Sequence, residues 1–127
     1  MKFLCLCRYE LAAYARLTPD DFRKIALLCA PHDAALRESG QVALIGSLTT
    51  PDDAKVLRAA ADGAVLIEDG PYHDDPEPVS AFFIVEAETT DQAVEIARLH
   101  PEAHLGTRFG KGGIEIFPIW DLWSRPA

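Results

Sequence analysis

Apolar positions come in blocks along the chain, and the period of each block says which element it can form. From Lys2 to Tyr9 they fall on both parities, with Phe3, Cys5 and Cys7 on one side and Leu4 and Leu6 on the other. That pattern predicts a strand covered on both faces. Thr18-Pro19-Asp20-Asp21 then opens a helix. The threonine can cap, the proline fits the first turn, and the aspartates suit the positive end of the dipole. Phe22, Ile25, Cys29, His32 and Leu36 follow at helical spacing on one face. Pro31 is expected to bend this helix and Gly40 to end it.

Gln41 to Leu48 has the length and composition of a second strand, with Gly46 marking a bulge or a close approach. Thr50-Pro51-Asp52-Asp53 repeats the helix-start signal, and the alanine-rich stretch from Lys55 to Ala61 could continue it. Against that, Asp62-Gly63 stands between Val56-Leu57 and Val65-Leu66-Ile67, a hairpin signal, and the hairpin is the reading adopted. Ser80 to Glu86 predicts another strand that is apolar on both faces. Thr89 and Gln92 resemble a capping box that opens a helix through Ala93, Ile96, Ala97 and His100, until Pro101 stops it. His100 to Gly113 reads as loop, and Ile114 to Ile119 as the last strand.

The resulting order is strand, helix, strand, hairpin, strand, helix, strand, a ferredoxin-like α+β plan with an inserted β-hairpin. Two helices cover only one face of such a sheet, yet two strands are apolar on both. A second copy is the expected cover, giving a homodimer that meets sheet to sheet around a cavity.

Composition narrows the partners. With 127 residues and 49% hydrophobic positions, the chain is expected to form a single domain over residues 1–127. A net charge of −8 with only 12 Lys and Arg disfavours nucleic acid as a partner. No stretch approaches the ~20 apolar residues needed to span a bilayer, and Met1-Lys2-Phe3-Leu4 leads into no signal-peptide pattern, so the expectation is a cytoplasmic protein without a membrane partner. Cys5, Cys7 and Cys29 are odd in number and sit in apolar patterns, as small buried residues in a reducing compartment do. Cys5-x-Cys7 has no further soft ligands nearby in sequence, and no motif calls for a metal or an organic cofactor.

At Val65-Leu66-Ile67-Glu68-Asp69-Gly70-Pro71-Tyr72 the chain resembles the YCII-related, or DGPF-domain, family of small bacterial proteins. The likeness extends over the opening strand, Leu36-Arg37-Glu38-Ser39-Gly40, Phe82-Phe83-Ile84-Val85-Glu86, the helix from Asp91 to Leu99, and Ile114-Glu115-Ile116-Phe117-Pro118-Ile119. Tyr72 stands where the family usually has phenylalanine. The resemblance implies a dimeric α/β barrel, the fold of muconolactone isomerase-like enzymes and haem-degrading monooxygenases. It also implies relatives that act on aromatic-ring degradation products with a His–Asp pair, and others associated with sigma factors of the extracytoplasmic-function type. In the better-known branch the histidine lies eleven residues before the glycine that ends the first helix. That position is Cys29 here, with His32 one turn further on, so the branch's dyad does not carry over.

The candidate chemistry lies in two places. Asp69-Gly70-Pro71 is fully explained as a sharp turn, through an Asx bond from Asp69, positive φ at Gly70 and a fixed φ at Pro71. The functional alternative is that the turn aims Asp69 and Tyr72 into the dimer cavity, where a desolvated carboxylate moves protons near neutral pH. His100 or His104 would be its acid–base partner, Arg108 would hold an anionic group, and Glu115 could face either cavity or solvent. His73, Asp74, Asp75 and Glu77 read as a solvated acidic loop, and Gly110-Lys111-Gly112-Gly113 as a flexible loop able to close over a ligand. The expected function is a small-molecule-binding homodimer doing isomerase- or lyase-type acid–base chemistry on a small carbonyl or aromatic-derived compound. The alternative is a non-catalytic ligand-binding or regulatory module, working with a sigma-factor pathway.

Overall fold

A computed structural model describes residues 1–127. Strand β1 (Lys2–Tyr9) leads through a single turn of helix, α1 (Leu11–Tyr14), into the long helix α2 (Pro19–Glu38). Strand β2 (Val42–Ser47), the hairpin β3 (Lys55–Ala59) and β4 (Val65–Asp69), and strand β5 (Val79–Glu86) follow. Helix α3 (Thr90–Ala97), two 3-10 turns at Pro101–Ala103 and Thr107–Phe109, and strand β6 (Lys111–Pro118) complete the order. The main sheet is antiparallel with order β2-β5-β1-β6, and β3-β4 is a separate two-stranded ribbon. This is the ferredoxin-like α+β plan with its inserted hairpin. No helix is long and apolar enough to cross a membrane.

The helix starts obey local chemistry. Thr18 and Asp21 form a reciprocal capping box at α2, each side chain bonded to the other's backbone N–H. At α3 the Thr89 hydroxyl accepts from Gln92 N–H, while the Gln92 side chain turns to the N–H of Glu88. Helix α2 runs unbroken through Pro31, and Gly40 follows it at φ 72°. Pro51–Asp53 forms one 3-10 turn, and the chain then enters the hairpin, whose tip has Gly63 at φ 88°.

Cross-strand register divides the main sheet into two faces. Phe3, Cys5, Cys7, Phe83 and Val85 point to one side and are fully buried with Leu36 and the α3 residues Ala93, Ile96 and Ala97. On the other side, Leu4 faces Ile84 and Phe117, Leu6 faces Phe82 and Glu115, and Leu44 lies beside Ile84. This second face is half-exposed, with Leu44 and Phe117 open to solvent. Gly46 is a close-approach point on it, since a Cβ there would come 2.5 Å from the ring tip of Phe82.

Helix α2 sits on the core chiefly through Leu36, its one fully buried residue. Upstream, Ala26 and Ala30 are exposed and border a cavity between this part of the helix and the sheet, while the exposed Phe22 packs edge-on against Tyr14.

Two loop expectations are corrected. The stretch from His100 to Gly113 contains two 3-10 turns, and β6 already begins at Lys111, so Gly110-Lys111-Gly112-Gly113 is mostly strand. Gly70 has no positive φ; it is glycine because a Cβ would meet Ala54 at 2.8 Å, where Gly70 N–H donates to the Ala54 carbonyl. The Gly70–Pro71 peptide is cis.

Candidate functional site

The 3-10 turn Pro101–Ala103 is held from three directions, and those contacts build the site. His100 caps it, its Nδ1 accepting from the N–H of Glu102 at 3.0 Å. That bond places the imidazole proton on Nε2, which faces Cys7 Sγ at 3.7 Å. The ring lies flat on Phe83, with centroids 4.8 Å apart and planes 5° from parallel. Burial, the largest cause, pushes the His100 pKa down to about 4. His104 donates from Nε2 to the carbonyl of Arg98 and stacks on His32 of α2 at 4.2 Å. The third hold is an ion pair from Lys111, the first residue of β6, to Glu102 Oε1 at 3.0 Å.

Glu102 is the result of that arrangement. It is 7% exposed, and its second oxygen, Oε2, is buried without a hydrogen-bond partner. Desolvation raises its pKa, and the Lys111 ammonium opposes that rise. A buried acceptor left without a partner costs on the order of 1–3 kcal/mol, so it marks a place where another group can bind.

Two cavities meet at this carboxyl. One, of about 290 Å³, has Tyr9, Tyr14, Ser47, Ser80, Glu102 and Lys111 in its wall. The other, of about 360 Å³, lies under α2 between Ala26 and Ala30 on the helix and Ile45 and Ala81 on the sheet. Ser47, Ala81 and Glu102 belong to both. The tyrosines are fixed by edge-on packing, Tyr9 on Tyr14 and Tyr14 on Phe22. Burial raises the Tyr9 phenol pKa, so the hydroxyl stays protonated and can donate. Burial likewise drives Cys7 up to about 12 and Cys5 up to about 11, leaving both as thiols rather than thiolate nucleophiles.

The sequence-predicted residues do not form one cluster. Asp69 ends β4 with its carboxylate exposed, paired across the hairpin with Lys55, and makes no Asx bond. No hydrogen bond or ion pair joins Asp69 to His100 or His104. Tyr72 lies under the guanidinium of Arg58, which stands 4.4 Å from the ring centroid. Arg108 stacks on Phe109. Glu115 points to the open sheet face, where Arg8 contacts it at 3.4 Å and Asp75 at 3.1 Å. His100 borders the cavity under α2, yet both its ring nitrogens are already engaged.

Sequence reasoning missed Glu102 and underused Lys111. The available signal was Pro101: an X-Pro-Glu segment after a helix can start a 3-10 turn, which places its third residue inward against the next strand.

An antiparallel ferredoxin-like sheet, with a long helix raised over a cavity and a half-paired carboxyl in its wall, defines an α+β protein with a titratable internal site. The chain belongs to the YCII-related domain family, whose model matches residues 1–121. No curated protein matches it by sequence. Among solved structures it is similar to 5-chloro-2-hydroxyhydroquinone dehydrochlorinase from Burkholderia phenoliruptrix AC1100, in complex with 2,5-dihydroxybenzoquinone. The identity is 18%, over 99% of this chain and 96% of that chain, with a TM-score of 0.44.

Proposed function

We propose that the chain works as a homodimer and binds a small carbonyl compound, in its enol or keto form, at Glu102. The observation that carries this reading is the unpartnered Oε2 of a buried carboxyl in the cavity wall. As a carboxylate, Glu102 takes a proton from carbon next to the carbonyl; the electron pair moves to the carbonyl oxygen, which Lys111 and the Ser47 hydroxyl stabilise as an enolate. The protonated Glu102 then returns the proton to a different carbon, which is an isomerisation. A raised pKa suits both halves of that cycle.

The dimer enters through the open sheet face. Leu4, Leu6, Leu44, Phe82, Ile84 and Phe117 make a contiguous apolar surface by register, of the kind proteins cover with a partner. An isologous contact of two such faces gives each copy the same environment.

The test is exchange of carbon-bound hydrogen for deuterium in small β-dicarbonyl and cyclic ketone compounds, followed by NMR in heavy water. Wild-type protein should accelerate exchange of at least one compound, and Glu102→Gln should lose about 10²–10⁴ of that rate. Equal rates for the two proteins would remove Glu102 from the chemistry.

A further inference from the structure

The cavity under α2 is bordered by Glu102 and Arg37, with Ala26, Ala30, Ile45 and Ala81 supplying apolar wall and Asp33, Ser47 and His100 adding polar groups. At its inner end stands Glu102, 7% exposed. Toward solvent stands Arg37, whose Nε donates to Asp33 Oδ2 at 3.1 Å and whose two terminal nitrogens make no hydrogen bond in the chain. Between them Ala26 and Ala30 of α2 face Ile45 and Ala81 of the sheet. Ala26 and Ala30 leave room on the helix side, where Asp33 is the one carboxylate and is paired with Arg37, and about 360 Å³ suits a molecule of one small ring.

We infer that this cavity takes a small planar carboxylic acid, its enol or phenol oxygen on Glu102 and its carboxylate on the free face of Arg37. The inference rests on the reading of Glu102 above and adds the anionic end of the ligand. Guanidinium recognises carboxylate with two parallel N–H donors, and the terminal nitrogens of Arg37 are the unoccupied pair. The ring fills the gap between the alanines and the sheet. The Glu102 carboxyl meets the hydroxyl by rotation about its last side-chain torsion, which is broad and soft. Asp33 holds the guanidinium in place and leaves its outer edge to the ligand. Lys111 remains on Glu102 Oε1, which leaves Oε2 to meet the ligand hydroxyl.

The probes are 3-hydroxybenzoate, a stable stand-in for an enol acid, with phenol and benzoate as its two halves, measured by calorimetric titration. Wild-type protein should bind 3-hydroxybenzoate at least tenfold more tightly than either half. Arg37→Gln, a change at an exposed position, should abolish the margin over phenol while leaving phenol affinity unchanged. Glu102→Gln should weaken phenol and 3-hydroxybenzoate alike and spare benzoate. A margin that survives Arg37→Gln overturns the carboxylate subsite and leaves the reading of Glu102 standing. If Glu102→Gln changes neither affinity, the reading of Glu102 fails while the Arg37 arm is still measured. No binding of any probe by the wild type overturns the inference, and the exchange assay above then reports on Glu102 alone.

Discussion

Lys111 Nζ holds one carboxyl oxygen of Glu102 at 3.0 Å and leaves the other without a partner. The folded chain therefore pays desolvation on Glu102 and recovers part of it from Lys111. A carboxyl whose folded pKa is raised favours folding below its unfolded pKa and loses that contribution as pH rises through the folded value. Replacing Lys111 by Met removes the opposing charge and should steepen the loss. Unfolding free energies from urea titrations followed by circular dichroism should fall more steeply than in wild type as pH rises from about 4 toward neutral. Lys111→Met with Glu102→Gln should lose that added slope and keep only the pH dependence of the other groups, and a single variant that tracks wild type would show that the pair is not coupled.

His100 has the opposite sign. Burial lowers its pKa from 6.5 to about 4, so the unfolded chain takes up a proton that the folded chain refuses. Stability present above pH 6.5 is lost as pH falls toward 4, by at most about 3 kcal/mol. Asparagine can also cap the 3-10 turn and does not titrate. His100→Asn should be less stable than wild type at pH 7 and show no decline attributable to this site between pH 6.5 and 4. An unchanged acid limb would place the titrating group elsewhere.

Leu6 faces Phe82 across β1 and β5 on the apolar side that the proposed dimer buries. Leu6→Glu should yield monomers in sedimentation velocity with native circular dichroism, since the side chain is half-exposed in one copy. A dimer that persists would put the interface on another surface.

Gly46 allows Phe82 to lie flat on that same face. With a Cβ 2.5 Å from Cζ of Phe82, Gly46→Ala forces the ring to move by rotation or strand displacement. The expected result is a loss of about 1–3 kcal/mol in stability or dimer affinity. Thermal melts across a range of protein concentration separate the two, because only the second depends on concentration.

Asp69 and Gly70 are neighbours with very different expected sensitivities. The Asp69–Lys55 pair is exposed, at 86% and 64% of the side chains, so Asp69→Asn should change stability by less than about 0.5 kcal/mol. Gly70→Ala pushes a methyl into the Ala54 backbone and should cost about 1–3 kcal/mol. The Asp69→Asn protein also gives the direct check on chemistry at this turn: full exchange activity is expected, and its loss would return Asp69 to the site.

The strands and helices were legible because their signals are local. Two-sided apolar parity in β1 and β5, the Thr18 and Thr89 caps, and Asp62-Gly63 at the hairpin tip each act within a few residues. Glu102 was hidden because its burial comes from three contacts distant in sequence: His100 on Phe83, His104 on His32, and Lys111 across the turn. Asp69 attracted attention through its motif, yet what fixes that motif is the approach of Gly70 to Ala54, which no residue pattern records. Lys111 read as loop because three glycines surround it. Pairing with Tyr9 of β1 draws it into the sheet.

The tail beyond β6 has a spectroscopic consequence. Trp120 and Trp123, the two tryptophans of the chain, are 97% and 80% exposed. Their indoles are bathed in water in the native state, so their emission has little further to shift when the core melts. Fluorescence, the usual optical handle on denaturation, would report on this tail: a blue shift on raising the concentration would signal that another surface has shielded it, while the interior stays dark to that light.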